Sequence, residues 1–183
     1  LKRNISKKNI SHYPSKISLI NLNFSFENNQ KTLNNINIEI QKRDRIGIMG
    51  KSGNGKTTLI NILSGLINDY TGEIFLDDQN LRDINKLSWR KFIGYVPQFP
   101  NFLSDTITNN IAFGIKKEKI DNDRINEVVD ICNITEFSND LPNGLNTPLN
   151  EDGKNFSGGQ LQRIALARAL YKNPEILVLD EAT

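Results

Sequence analysis

The chain has 183 residues, 37% hydrophobic and 24% charged, enough for one sizeable core or two small ones. A formal net charge of +2 makes no electrostatic case for a nucleic-acid partner. The single cysteine, Cys132, excludes an internal disulfide and fits a reducing compartment, and no apolar run approaches the roughly 18 residues of a membrane span.

Residues 1–16 hold Lys2, Arg3, Lys7, Lys8 and Lys16 and no acidic residue. They read as a solvated linker, or as a segment lying near an anionic membrane surface. Ile17, Leu19, Phe24 and Phe26 alternate with polar neighbours, residues 27–30 make a turn, and residues 35–40 alternate again. This pattern predicts antiparallel strands with one wet face. Phe24 and Phe26 either pack in a core or offer an aromatic face to a base.

The apolar run 45–49 then predicts a strand, followed by Gly50-Lys51-Ser52-Gly53-Asn54-Gly55-Lys56-Thr57 and a helix beginning Thr58-Leu59-Ile60. The spacing G-x-x-x-x-G-K-[ST] between strand and helix is that of a phosphate-binding loop. Its glycines let backbone N–H groups close on an anion, and the helix N-terminus adds partial positive charge. Lys56 would reach the β- and γ-phosphates of a nucleotide, and Thr57 would hold Mg2+.

Residues 73–77 predict a strand, 85–91 a short helix and 92–96 a fully apolar strand. Pro97 closes that strand and puts Gln98 in a loop at the sheet edge, where its amide would meet a metal ion or water. Residues 104–141 predict a run of helices: one capped by Asp105 and reaching Phe113, one capped at Asp121–Asp123, and a short one starting at Thr135. Cys132 falls among the apolar positions of the second and is expected to be a buried core thiol.

Ser157 with Gln160 three residues on forms a capping box for a helix whose apolar face is Leu161, Ile164, Ala165 and Ala169. A well-capped helix does not account for Gly158 and Gly159 in its first turn, each costing about 1 kcal/mol. Glycines there allow a ligand close to the N–H groups, a second candidate phosphate site. After Pro174, residues 176–179 predict a buried strand that delivers Asp180 and Glu181 to its C-terminal end. Asp180 suits Mg2+ or its water shell, and Glu181 suits a general base for water. Leucine at position 1 and a last residue directly behind this motif suggest a piece of a longer chain.

Together these motifs resemble the ATPase domain of ABC (ATP-binding cassette) transporters, in the family's order and from about residue 17 to the end. The loop at 50–57 matches Walker A, Gln98 the Q-loop, residues 157–160 the signature, and 176–181 Walker B. The resemblance implies an α/β fold, a P-loop NTPase (RecA-like) core with an antiparallel β-subdomain and an inserted helical subdomain. Residues 1–16 would link to a membrane domain fused upstream, 17–98 and 164–183 would form the core and β-subdomain, and 99–163 the helical subdomain. ATP and Mg2+ would bind at Phe26, Gly50, Ser52, Gly53, Asn54, Gly55, Lys56, Thr57 and Thr58, with Gln98 and Asp180 on the metal and Lys56, Gln98 and Glu181 in catalysis. Ser157, Gly158, Gly159 and Gln160 would meet the ATP of a second ATPase domain in a head-to-tail dimer, at the cytoplasmic face of a membrane.

Residues 102–114, 141–147 and 151–153 are similar to exporters, in tone to flippases of lipid-linked oligosaccharides. The chain departs from the family at Phe26, where tyrosine is common, and at Asn150, Phe156 and Leu161. The family's D-loop and switch histidine lie beyond Walker B, and the only histidine here is His12; residues 1–183 alone would therefore hydrolyse ATP poorly. The readings set against an exporter ATPase are a soluble ABC ATPase of DNA repair or translation, and a nucleotide-binding module without turnover.

Overall fold

A computed structural model describes residues 7–26, 31–51, 53–150 and 153–180. It contains two compact units, Leu1–Phe92 and Ile93–Thr183.

The first unit is built on an antiparallel sheet with strand order β2-β1-β3-β4. Its strands are β1 (Lys16–Ser25), β2 (Lys31–Gln41), β3 (Thr71–Leu76) and β4 (Gln79–Asn80). Along β1 the buried residues are Ile17 and Leu19, then Leu22 and Phe24, so the inward face changes parity at residues 20–21. A strand achieves this with an extra residue, and the β1–β2 and β1–β3 registers both shift there. Asn21 and Asn35 take left-handed backbone angles (φ 48° and 49°), which asparagine tolerates better than most residues. The Asn21 N–H donates to Asn37 Oδ1 at 2.9 Å and the Asn35 N–H to Asn23 Oδ1 at 2.8 Å, satisfying amides that the ladder drops. Gly72 runs so close that a Cβ on it would lie 2.3 Å from the Asn21 carbonyl oxygen.

Part of the stretch expected as a linker is tied down. Lys8 N–H donates to Asp83 O (2.9 Å), Asn85 N–H to Lys8 O (2.8 Å), and Ile10 N–H to Ser88 Oγ (3.1 Å). The Asp77 carboxylate accepts from Ser15 Oγ–H at 2.6 Å and from the Ser15 and Lys16 N–H groups at 3.0 Å. These bonds, the Ser15 hydroxyl's above all, hold its carboxyl below the usual range. A depressed carboxyl stabilises the fold above the unfolded pKa of about 4, and that contribution is lost as pH falls through the lower folded value. Asp77→Ala is therefore expected to cost about 1 kcal/mol at neutral pH, after discounting for solvent screening. The difference from wild type should shrink in denaturant melts as pH falls through the carboxyl's lowered folded value. A gap that stays constant with pH would remove the carboxylate from the account.

Helices α1 (Lys56–Leu63) and α2 (Lys86–Arg90) complete this unit. Trp89, 1% exposed, donates its indole N–H to Leu63 O at 2.7 Å, and Arg90 reaches Gly65 O at 3.0 Å, so α2 is pinned to the end of α1. The strand expected at 45–49 is absent. Ile46 and Ile48 are exposed and Met49 is 94% exposed. A strand needs a neighbour to take its N–H and C=O groups, and no described strand pairs with these residues.

The second unit pairs β5 (Ile93–Val96) in parallel with β6 (Ile176–Leu179), Ile93 opposite Ile176 and Val96 opposite Leu179. Around them lie α3 (Ile107–Ile111), α4 (Asn122–Ile131), α5 (Thr135–Ser138) and α6 (Gly158–Tyr171). Helix α6 packs against α3, α4 and β5, burying Ile164, Ala165 and Ala167 with Ile107, Ile111, Val128 and Val129. Asp121 caps α4 and α5 starts at Thr135, as the sequence predicts. Cys132 is buried, and burial pushes its thiol up to about 11.

Three expectations need correcting. Thr106, not Asp105, caps α3, because its hydroxyl lies 3.1 Å from the Asn109 N–H, while Asp105 binds the Thr106 N–H and the Asn109 side chain. That helix stops at Ile111 rather than Phe113. The strands are less buried than their composition suggests, with Tyr95, Leu177 and Leu179 exposed, because β5 and β6 form a sheet of only these described strands.

The loop between β5 and α3 has no regular structure, yet it is held firmly. Arg168 of α6 donates to Asn101 O (2.7 Å), Asn110 O (2.8 Å) and Asn110 Oδ1 (3.0 Å), and its guanidinium lies 4.6 Å from the Phe102 ring and 5.4 Å from that of Phe113. Asn110 is fully buried and spends its amide N–H groups on the carbonyls of Leu103, Asp105 and Thr106. No described helix is long and apolar enough to cross a membrane.

Candidate functional site

In the first unit, the loop before α1 closes on itself. Asn54 N–H donates to Lys51 O at 3.2 Å, and Lys56 Nζ folds back over the loop to Gly50 O (2.8 Å) and Lys51 O (3.1 Å). The ammonium thus lies across the mouth of the loop instead of extending into solvent. Gly53 and Gly55 have φ of 82° and 80°, and a Cβ on Gly55 would stand 2.9 Å from the Thr32 carbonyl oxygen. Only glycine lets the chain turn here against β2. Gly55 caps α1 without a side-chain bond, and no acidic residue occupies the first turn, so the helix presents its N–H dipoles and Lys56 with no counter-charge from that turn. Thr57 is exposed, and Thr58 is buried on α1. Ser52, between Lys51 and Gly53, lies outside the described residues.

Phe26 follows β1 and is 54% exposed. Its ring meets that of buried Phe24 edge-on, with centroids 4.9 Å apart. The two aromatics that the sequence left ambiguous therefore separate: Phe24 packs, and Phe26 stands on it with much of its surface in solvent.

In the second unit, Gln98 and Asp180 both follow the C-terminal ends of parallel neighbours. Asp180 N–H donates to Val96 O at 3.0 Å, which carries the ladder one residue past β6. Gln98 lies two residues beyond β5. The Tyr95 hydroxyl donates to Asp180 Oδ2 at 2.9 Å. Burial, and then that bond and the charge of Asp180, push the phenol up to about 12, so it stays a donor. Sequence reasoning missed Tyr95, whose only signal was a polar atom inside an otherwise apolar strand. Glu181 lies outside the described residues. Thr57 in the first unit offers a hydroxyl oxygen, and Gln98 and Asp180 in the second offer amide and carboxylate oxygens, each a hard donor of the kind that Mg2+ takes beside phosphates.

The capping box at α6 is complete: Gln160 N–H donates to Ser157 Oγ (3.3 Å), and Ser157 N–H to Gln160 Oε1 (2.8 Å). Outside its own helix turn, a Cβ on Gly158 or Gly159 would meet nothing within 4 Å among the described residues, and both residues are exposed. Packing among the described residues does not call for glycine at either position.

Comparison with known proteins points one way. A family described as "ABC transporter" matches residues 33–183. An export ATP-binding/permease protein of Rickettsia typhi is 45% identical over 168 residues, covering 91% of this chain and 29% of that protein. An ATP-dependent lipid A-core flippase of Coxiella burnetii is 42% identical over 163 residues, covering 88% and 28%. The solved structure of a bacterial Atm1-family ABC exporter with ATP bound superposes with a TM-score of 0.89 at 31% identity, over 97% of this chain and 31% of that one. The chain thus spans under a third of the length of these relatives.

Proposed function

The chain belongs to the ABC transporter family, and from that premise we propose that it is the ATP-binding and ATP-hydrolysing domain of an exporter or flippase. The observation that carries this reading is Lys56 folded across a glycine loop at a helix N-terminus that has no side-chain cap, an arrangement suited to polyphosphate.

Gly50, Gly53, Asn54, Gly55 and Lys56 take the phosphates, with Ser52 and Thr58 flanking them, and Phe26 takes the base on its exposed ring. Thr57, Asp180 and Gln98 are the residues that hold Mg2+, which supplies neutralisation of the phosphate charge when bound. Glu181 accepts the proton of the attacking water, and Gln98 orients that water. Gly158 and Gly159 lie exposed beside the Ser157–Gln160 capping box, and a second such domain brings its ATP head to tail to Ser157, Gly158, Gly159 and Gln160. Residues 17–98 and 164–183 make up the nucleotide-binding core and β-subdomain, and 99–163 the helical subdomain. Membrane-spanning segments preceding residue 1 carry the substrate path, which puts the domain at the cytoplasmic face of the membrane. The relatives named as export permease and flippase support this assignment.

The test is titration with ATP and with inorganic triphosphate. The full-length protein should bind ATP tightly, and Phe26→Ala should weaken it by about 1–3 kcal/mol, the value of a base stacked on an aromatic ring, while leaving triphosphate unchanged. Equal responses of the two ligands would return Phe26 to the core, and absence of ATP binding by the parent protein would overturn the function.

A further inference from the structure

Tyr95 has no part in the function so far. It pairs with Val178 across the parallel ladder, and Asp180 stands two residues beyond Val178. Cross-strand partners share a face of a parallel sheet and alternate residues repeat it, so the Tyr95 and Asp180 side chains leave the same side. The phenol is long enough to span the offset, and its hydroxyl donates to Asp180 Oδ2 at 2.9 Å. Were Tyr95 only a shield for apolar surface, phenylalanine would serve equally well, and Tyr95 is exposed enough for its hydroxyl to turn to water instead.

We propose that Tyr95 is a positioning residue for Asp180: its hydrogen bond takes up one carboxylate oxygen and fixes the orientation in which the carboxylate meets the metal side of the site. The inference rests on the reading of Asp180 as a carboxylate of the Mg2+ site. It follows from the general behaviour of ligating carboxylates, whose hydrogen-bonded neighbours set their orientation and hence metal affinity.

The experiment is a Mn2+ titration of the full-length protein at saturating ATP, read by electron paramagnetic resonance, beside ATP binding measured without metal. Tyr95→Phe keeps the ring and removes only the hydroxyl. It should weaken Mn2+ about 10-fold, the lower end for loss of such a partner, and leave metal-free ATP binding unchanged. In an Asp180→Asn background, whose own Mn2+ affinity should fall further, Tyr95→Phe should add nothing. Wild-type Mn2+ affinity in Tyr95→Phe with a clear loss in Asp180→Asn would overturn the role of Tyr95 and leave the site reading standing. The same would follow if Tyr95→Phe weakened metal-free ATP equally, or weakened Mn2+ equally in the Asp180→Asn background. Wild-type affinity in Asp180→Asn would overturn the site reading, and this inference with it.

Discussion

Glu181→Gln in the full-length protein is expected to lower ATP hydrolysis by about 10²–10⁴-fold, the usual worth of a positioned base, while ATP still binds. The amide is close to isosteric with the carboxylate and removes one negative charge beside the phosphates. ATP that is bound but not consumed should then accumulate between two domains, so the variant should elute as a dimer in sizing chromatography only when ATP is present. Adding Ser157→Ala should return it to monomer. The Ser157 hydroxyl caps α6 within its own chain, and a Cβ added to the exposed Gly158 or Gly159 would meet nothing within 4 Å among the described residues outside its own helix turn. A loss of dimer without loss of the monomer's fold would therefore locate the contact on another molecule. Turnover at the wild-type rate in Glu181→Gln, or a dimer indifferent to Ser157, would mean that these residues do other work.

Lys56→Ala is expected to be nearly as severe for binding. A charge-assisted hydrogen bond contributes about 1.5–3 kcal/mol, and contacts to both the β- and γ-phosphates would weaken ATP by roughly 10²–10⁴-fold. The same substitution removes the side chain that bridges the Gly50 and Lys51 carbonyls, so the loop loses its own clasp as well. Calorimetric titration with ATP and Mg2+ measures this directly, and unchanged affinity would rule out the loop as the phosphate site.

The parts of the molecule legible in the sequence are those whose geometry is set by residues close together along the chain. The glycine loop, the Asp121 cap and the Ser157–Gln160 box each use side chains within a turn of the backbone they serve, so spacing alone specifies them. Thr106 displaced Asp105 as the cap of α3 because both are good caps, and the choice depends on where the helix starts, which Asn110 helps to set from its buried position. The run 45–49 has the composition of a strand but no described neighbour, and pairing is a property of the neighbour as much as of the run. Tyr95 became visible only when the β5–β6 register brought residues 85 apart in sequence within hydrogen-bond distance. The linker reading missed the bonds from residues 8, 10 and 15 for the same reason, since their partners lie at 77, 83, 85 and 88.

The Arg168–Asn110 junction carries a consequence for modularity. The path of residues 101–113 is written in a side chain 58 to 67 positions downstream, on a different element. The segment is therefore not a portable cassette: a chimera that exchanges 101–113 with a relative exchanges the address and leaves behind its reader. Arg168 and this loop form one heritable unit, and a graft of the loop keeps its shape only where the recipient helix already offers a guanidinium at the matching turn.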